Sequence, residues 1–239
     1  NWKWLVPILL ASAGTYLAAT MSTLGSVPSR LPIGPTSAAQ VASSFASKVA
    51  PAGLGGMAMN VRYMQRQGVD TTVATSAVGL NAGAGVVGHV ALAGLFLVWA
   101  GRDAFGSIKL PSPKALLIGV AVVALITVIA MLVPSTRKLV VKKLFPILGK
   151  AVAGLRDVLT TPSKVALLLC GSVLVTLSYV LAFNFSARAF DIDLRFAAIG
   201  AVYLIGSAIA TAAPTPGGLG AAEAALIGGL IAVGVDKVD

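Results

Sequence analysis

Little in this chain would serve metal chemistry, disulfide cross-linking or acid–base catalysis. It has one cysteine, Cys170, one histidine, His89, and one glutamate, Glu223, among 239 residues. A single thiol in the apolar run LLLCGSV makes neither a disulfide nor a thiolate metal site. A lone histidine lacks the companions for a histidine-based metal site or catalytic dyad. With no P-loop and no serine nucleophile elbow, no ATP-driven step is visible, and neither an enzymatic activity nor a metal or cofactor is expected. Charge is scarce as well. Charged residues make up 11% of the chain and hydrophobic ones 57%, against roughly 25% charged in soluble domains. The implied solvent is a bilayer.

Four apolar stretches, Trp4–Val27, Thr71–Gly101, Ala115–Val133 and Val165–Phe190, each supply the ~20 residues a spanning helix needs. The first lacks a basic leader and an A-x-A end, so it reads as a helix, not a signal peptide. The chain opens at Asn1 without a Met and stops at Asp239 just past an apolar segment. It reads as a piece of a longer protein, or as one with a processed N-terminus. The net charge of +10 is unevenly placed: Arg137, Lys138, Lys142, Lys143, Lys150, Arg156 and Lys164 share one connection with the single acid Asp157. The positive-inside rule makes residues 134–164 a basic cytoplasmic connection. Its alternation of basic and apolar residues suits an amphipathic helix on the anionic inner leaflet. Topology accounts for the charge, and nucleic acid is not an expected partner. An integral protein of a bacterial plasma membrane is the expectation. The linker Arg102–Lys114 and the short DIDLR, Asp191–Arg195, then lie outside, and Arg62, Arg66 and Asp70 inside.

The chain repeats itself. Thr15-Tyr16-Leu17 recurs as Ser178-Tyr179-Val180, Leu31 as Leu194 and Pro51 as Pro214. PAGLGG, residues 51–56, returns as PGGLGA, residues 216–221, and the copies close on Gly68-Val69-Asp70 and Gly234-Val235-Asp236. Anchors in the same order mark an internal duplication over about 1–70 and 164–236. Each copy holds one spanning helix and one apolar segment broken by proline and glycine, Ser37–Gln65 and Phe196–Val235. Two geometries compete. A broken helix that crosses the bilayer makes the copies parallel; a re-entrant hairpin that dips in and returns makes them inverted. Met57–Gln65 covers roughly 14 Å, about half of the ~30 Å hydrocarbon core, and suits either. The arms around the second break are jointly too long for one crossing, which favours hairpins. The expected fold is an all-α polytopic membrane protein, a single domain over 1–239 with two inverted repeats. Irregular backbone at membrane depth is tolerated only against protein or a water-filled cavity. Broken helices meeting near the midplane are the plan of secondary transporters.

Polar residues gather at these breaks. Glu223, among alanines just past the second break, is an intramembrane carboxylate. It either carries a proton or pairs with an arginine. Gln40, Ser43, Ser44 and Lys48 precede the first break, and Asn60 and Arg62 follow it. Arg62 has three candidate roles: meeting a lipid phosphate, pairing with Glu223, or snorkelling to the cytoplasmic surface. Asn81 and His89 share a helix face, with His89 as a packed hydrogen-bonded imidazole or a proton relay. Asn184 lies near the outer end of its span, too deep for its sequon to accept a glycan. Gly83–Gly88 spells GxGxxG with no strand before it; Gly79, Gly83, Ala84 and Gly88 read instead as small-residue spacings that let helices approach.

TPGGLGAAEAALIGGLIAVGV, Thr215–Val235, resembles the C-terminal signature of the flippase-like transmembrane family of lysylphosphatidylglycerol synthases. SSFASKVAPAGLGGMAMNVRYMQRQGV, Ser43–Val69, is similar to that family's first hairpin, and NWKWLVPILLASAGTY to its early helix. By position, Pro216, Gly217, Gly218, Gly220 and Glu223 match the second motif, and Pro51, Gly55 and Arg62 the first. Many members follow the first motif's glycine with a glutamate. Gly56 stands there in this chain, so an Arg–Glu pairing local to the first hairpin is unavailable. The resemblance implies movement of a polar-headed phospholipid or glycolipid, anionic or aminoacylated heads included, between leaflets. Pro51, Gly53, Gly55, Asn60, Arg62, Pro216, Gly217, Gly218, Gly220 and Glu223 would form the path. Gln40, Ser44, Lys48, Asn81, His89 and Asn184 are the further cavity candidates. The soluble transferase domain of the synthases is not in this sequence, so no synthase activity is expected. Two rivals stay open: a non-transporting scaffold for an associated lipid-modifying enzyme, and a proton-coupled carrier of a small solute working through Glu223.

Overall fold

The structure is a computed structural model, and it describes residues 1–50, 54–101, 156–212, 215 and 218–235. Pro51, Gly53, Pro214, Pro216 and Gly217 lie outside the described residues, as do the apolar stretch Ala115–Val133 and most of the basic connection. The described residues are all-helical, with no strand.

Seven α-helices follow one another among these residues: α1 Leu5–Ser26, α2 Ile33–Val49, α3 Leu54–Arg66, α4 Thr71–Ala100, α5 Pro162–Ala189, α6 Phe196–Ala212 and α7 Ala221–Ala232. Local chemistry sets their ends. Pro162 opens α5 at a position whose N–H would have no helical partner. The Asp70 carboxylate accepts from Thr72 N at 2.8 Å and caps α4. Helices α3 and α7 end alike, on Gly68 (φ 83°) and Gly234 (φ 94°). Val69 N reaches back to Met64 O at 3.0 Å and Val235 N to Leu230 O at 3.1 Å. Only glycine enters that left-handed turn without steric cost, which is why a glycine stands at each. The first hairpin starts earlier than the sequence suggests, at Ile33, because Pro35 fits a first helical turn, where no N–H is required.

The centre of the molecule is α1 against α5. Trp4 stacks on Phe185 with ring centroids 5.8 Å apart, Gly14 faces Ser178, and the Ser22 and Ser172 hydroxyls bond at 2.9 Å. Position rises along α1 as it falls along α5, so the two helices are antiparallel. They approach closely: a Cβ on Gly25 would overlap the Leu168 backbone, and one on Gly171 the Ser22 backbone. Lys164, part of the basic connection, donates to Leu24 O at 2.8 Å and Ser29 O at 3.3 Å. Its charge sits where the carbonyl end of α1 favours a cation.

Both interrupted segments turn back on themselves. Thr36 meets Tyr63 and Gln40 meets Asn60 between α2 and α3. Val202 faces Gly229 and Gly206 faces Leu226 between α6 and α7. Two apolar clusters flank the centre, one around Val27, Met64 and Ala77, the other around Phe96, Val180 and Leu204. Helix α4 contributes to both.

Three helices, Trp2–Ser26, Thr71–Ala100 and Pro162–Ala189, are long and apolar enough to cross a bilayer. Their outward faces carry Leu9, Leu10, Val86, Val90, Val98 and Leu169, all well exposed. Thr15, Thr20, Ser22 and Thr23 are buried instead. Apolar outside and hydroxyl-rich inside is the pattern of a chain solvated by lipid. This is an integral membrane protein.

Candidate functional site

Helices α1 to α5 line an open cavity of about 290 Å³. The polar stripe of α2 supplies Gln40, Ser43, Ser44 and Ser47, spaced along one helical face. Asn60 of α3 and Asn81 of α4 enter from two sides, with Thr15, Tyr16 and Thr23 of α1 and Tyr179 of α5 completing the polar wall.

The amides form a short relay. Gln40 Nε2 donates to Asn60 Oδ1 at 2.9 Å, and Asn60 Nδ2 donates to Gly56 O at 3.1 Å. Tyr16 and Ser44 hydroxyls lie 3.4 Å apart. Asn81 accepts from Ser22 Oγ, which also bonds Ser172, so α4, α1 and α5 are tied at one point. Two wall residues hold unmet capacity: the Thr23 and Ser43 hydroxyl oxygens are buried and have no hydrogen-bond partner. Such groups cost free energy unless something pairs with them.

Glycines shape the hairpin that carries the stripe. A Cβ at Gly55 would overlap the Ala46 carbonyl oxygen, and one at Gly56 the Ser47 hydroxyl. Gly56 lines the cavity, and its lack of a side chain makes room for the Ser47 hydroxyl beside it.

Of the candidate residues, Gln40, Ser44, Asn60 and Asn81 converge on the cavity, and Gly55 sets the close approach of its walls. Arg62 and Glu223 do not line it. Arg62 is exposed and reaches Gln65 at 3.5 Å, the arrangement of a snorkelling side chain near a helix end. Glu223 is exposed, and its Oε2 accepts from Gly220 N at 2.6 Å, capping its own helix. The two are not paired with each other, whereas Arg188 pairs with Asp193 at 2.7 Å. Lys48 is exposed at the end of α2. His89 Nε2 contacts Leu204 O at 2.9 Å and fastens α4 to α6, the packed role. Asn184 is buried elsewhere, its Oδ1 without a partner. Gly218 and Gly220 take left-handed φ values of 72° and 79° at the second break. Gly88 packs on Val173 and Ala84 is buried, whereas Gly79 and Gly83 face open space.

Sequence reasoning passed over Thr15, Tyr16, Thr23, Ser47 and Tyr179. A signal for Ser47 was present, since Gln40, Ser43, Ser44 and Ser47 follow the i, i+3, i+4, i+7 rule. Tyr16 and Tyr179 were visible only as repeat anchors.

The chain's full extent, residues 1–239, matches the family model described as the lysylphosphatidylglycerol synthase TM region. No curated protein and no solved structure matches it.

Proposed function

The chain belongs to the lysylphosphatidylglycerol synthase TM-region family, and from that premise we propose that it moves a polar-headed lipid between leaflets. The headgroup occupies the cavity between the first hairpin and α1, α4 and α5, while the acyl chains stay in the bilayer. One observation carries this reading: a neutral polar cavity with two unpartnered hydroxyls, set inside a bundle whose outer faces are apolar.

The antiparallel α1–α5 pair supports inverted repeats, with α1–α3 in one copy and α5–α7 in the other. Helices α3 and α7 have 13 and 12 residues. At ~1.5 Å per residue they reach roughly 18–20 Å, short of the ~30 Å core, which supports re-entrant hairpins. Such a hairpin opens a polar route without a complete crossing.

Transfer is measured in vesicles containing fluorescent analogues of phosphatidylglycerol, lysylphosphatidylglycerol and glucosyl diacylglycerol, with dithionite quenching from outside. The protein increases the quenched fraction beyond one half for at least one of them. Equal quenching with and without protein for all three refutes lipid transfer.

A further inference from the structure

From the cavity wall we infer that the headgroup it receives is uncharged and rich in hydroxyls, a sugar-type head and not a phosphate or an aminoacyl ammonium. This deepens the lipid-transfer reading and rests on it.

The first ground is charge. Among the described residues, no Asp, Glu, Lys, Arg or His lines the cavity. Lys48 and Arg62 of the same hairpin are exposed and do not line it. An anionic phosphate drawn into this wall would lose hydration and meet no cation; an ammonium would meet no carboxylate. Either loss is steep in a low-dielectric setting.

The second ground is the direction of the hydrogen bonds. A phosphate only accepts and an ammonium only donates. This wall does both. Gln40 spends one N–H on Asn60 and Asn60 one N–H on Gly56, leaving each amide a further donor, while the Gln40 carbonyl remains an acceptor. The Thr23 and Ser43 hydroxyls are unpaired and work in either direction. A ring of hydroxyls matches such a mixed set; a unipolar ion leaves half of it unmet.

The third ground is shape. The volume, about 290 Å³, lies near the lower end of small-molecule pockets and suits one ring. Tyr16 and Tyr179 both line it. Their aromatic faces carry negative potential that favours polarised C–H groups, as on a sugar face.

The test uses the whole chain reconstituted in vesicles with the three fluorescent lipids named above, and native mass spectrometry with their unlabelled forms. The glucosyl lipid is moved at least fivefold faster than either charged lipid and is retained preferentially. Ser43→Ala lowers glucosyl transfer about threefold without lowering thermal stability, because the hydroxyl has no protein partner to lose. Equal or faster movement of a charged lipid overturns the headgroup assignment and leaves lipid transfer standing. Movement of none, with selective glucosyl retention, upholds the headgroup assignment and overturns transfer; no movement and no selective retention overturns both.

Discussion

Between α2 and α3 the facing pairs are Thr36 with Tyr63 and Gln40 with Asn60; between α6 and α7 they are Val202 with Gly229 and Leu226 with Gly206. The two hairpins occupy equivalent places in the sequence repeat. Counting on the offset that maps Thr15 to Ser178, Gln40 corresponds to Tyr203, Ser43 to Gly206 and Ser47 to Ala210. Past the break, Asn60 corresponds to Ala225. The backbone plan is shared and the interior is not. At these four positions the first hairpin holds amides and hydroxyls and the second a tyrosine, a glycine and two alanines, with Tyr203 stacked on Tyr179 at 6.2 Å. The cavity described above takes its polar wall from the first hairpin. On the proposed lipid-transfer reading, the polar wall of the path comes from the first hairpin.

The sharpest way to break this comparison is to damage the hairpins unequally. Gly55→Val pushes a side chain into the Ala46 carbonyl and costs about 3 kcal/mol, read by thermal unfolding in detergent. Gly228→Val, at a position with nothing within 4 Å, changes stability by no more than about 0.5 kcal/mol. Equal losses at the two sites would remove the contrast in packing.

Next comes the polar wall itself. Asn60→Leu strips Gln40 of its acceptor and lowers lipid transfer about tenfold, equivalent to roughly 1.4 kcal/mol. The matched pair Ser44→Ala and Ser207→Ala separates the copies: transfer falls about threefold for the first and is unchanged for the second. Ser207 bonds only within its own helix, to Leu204 O at 3.2 Å. A transfer defect in Ser207→Ala places chemistry in both halves.

His89→Ala removes the contact with Leu204 O and lowers stability by about 1 kcal/mol, loosening α4 from the second hairpin. Glu223→Gln has the smallest effect, a few tenths of a kcal/mol, because an amide oxygen still accepts from Gly220 N. Loss of transfer in Glu223→Gln at unchanged stability would give the second hairpin a proton-carrying role and undo the asymmetry.

Much of the architecture was legible in the sequence. Spanning helices announce themselves by length and apolarity, and Gly68 and Gly234 mark helix ends that both copies need. The polar stripe on α2 was half legible, as its members share one helix face. What was not legible is which polar residues meet. Ser22 finds Ser172, and Tyr16 shares a wall with Tyr179, only through the antiparallel crossing of two helices far apart in the chain. Glu223 drew attention as the lone glutamate in an apolar setting. Its requirement is met locally, by the N–H three residues before it.

The pairing of α1 with α5 also leaves one contact of α1 waiting until late in synthesis. The ribosome delivers α1 first, and the surface it needs, around Gly171 and Ser172, emerges only after Thr71–Ala100 and the long connection beyond it. Until then Ser22 lacks its hydroxyl partner and the cavity has no fifth wall. A chain stopped before Pro162 therefore lacks the surface on which α1 packs, and deletions in α5 are expected to destabilise α1 as well.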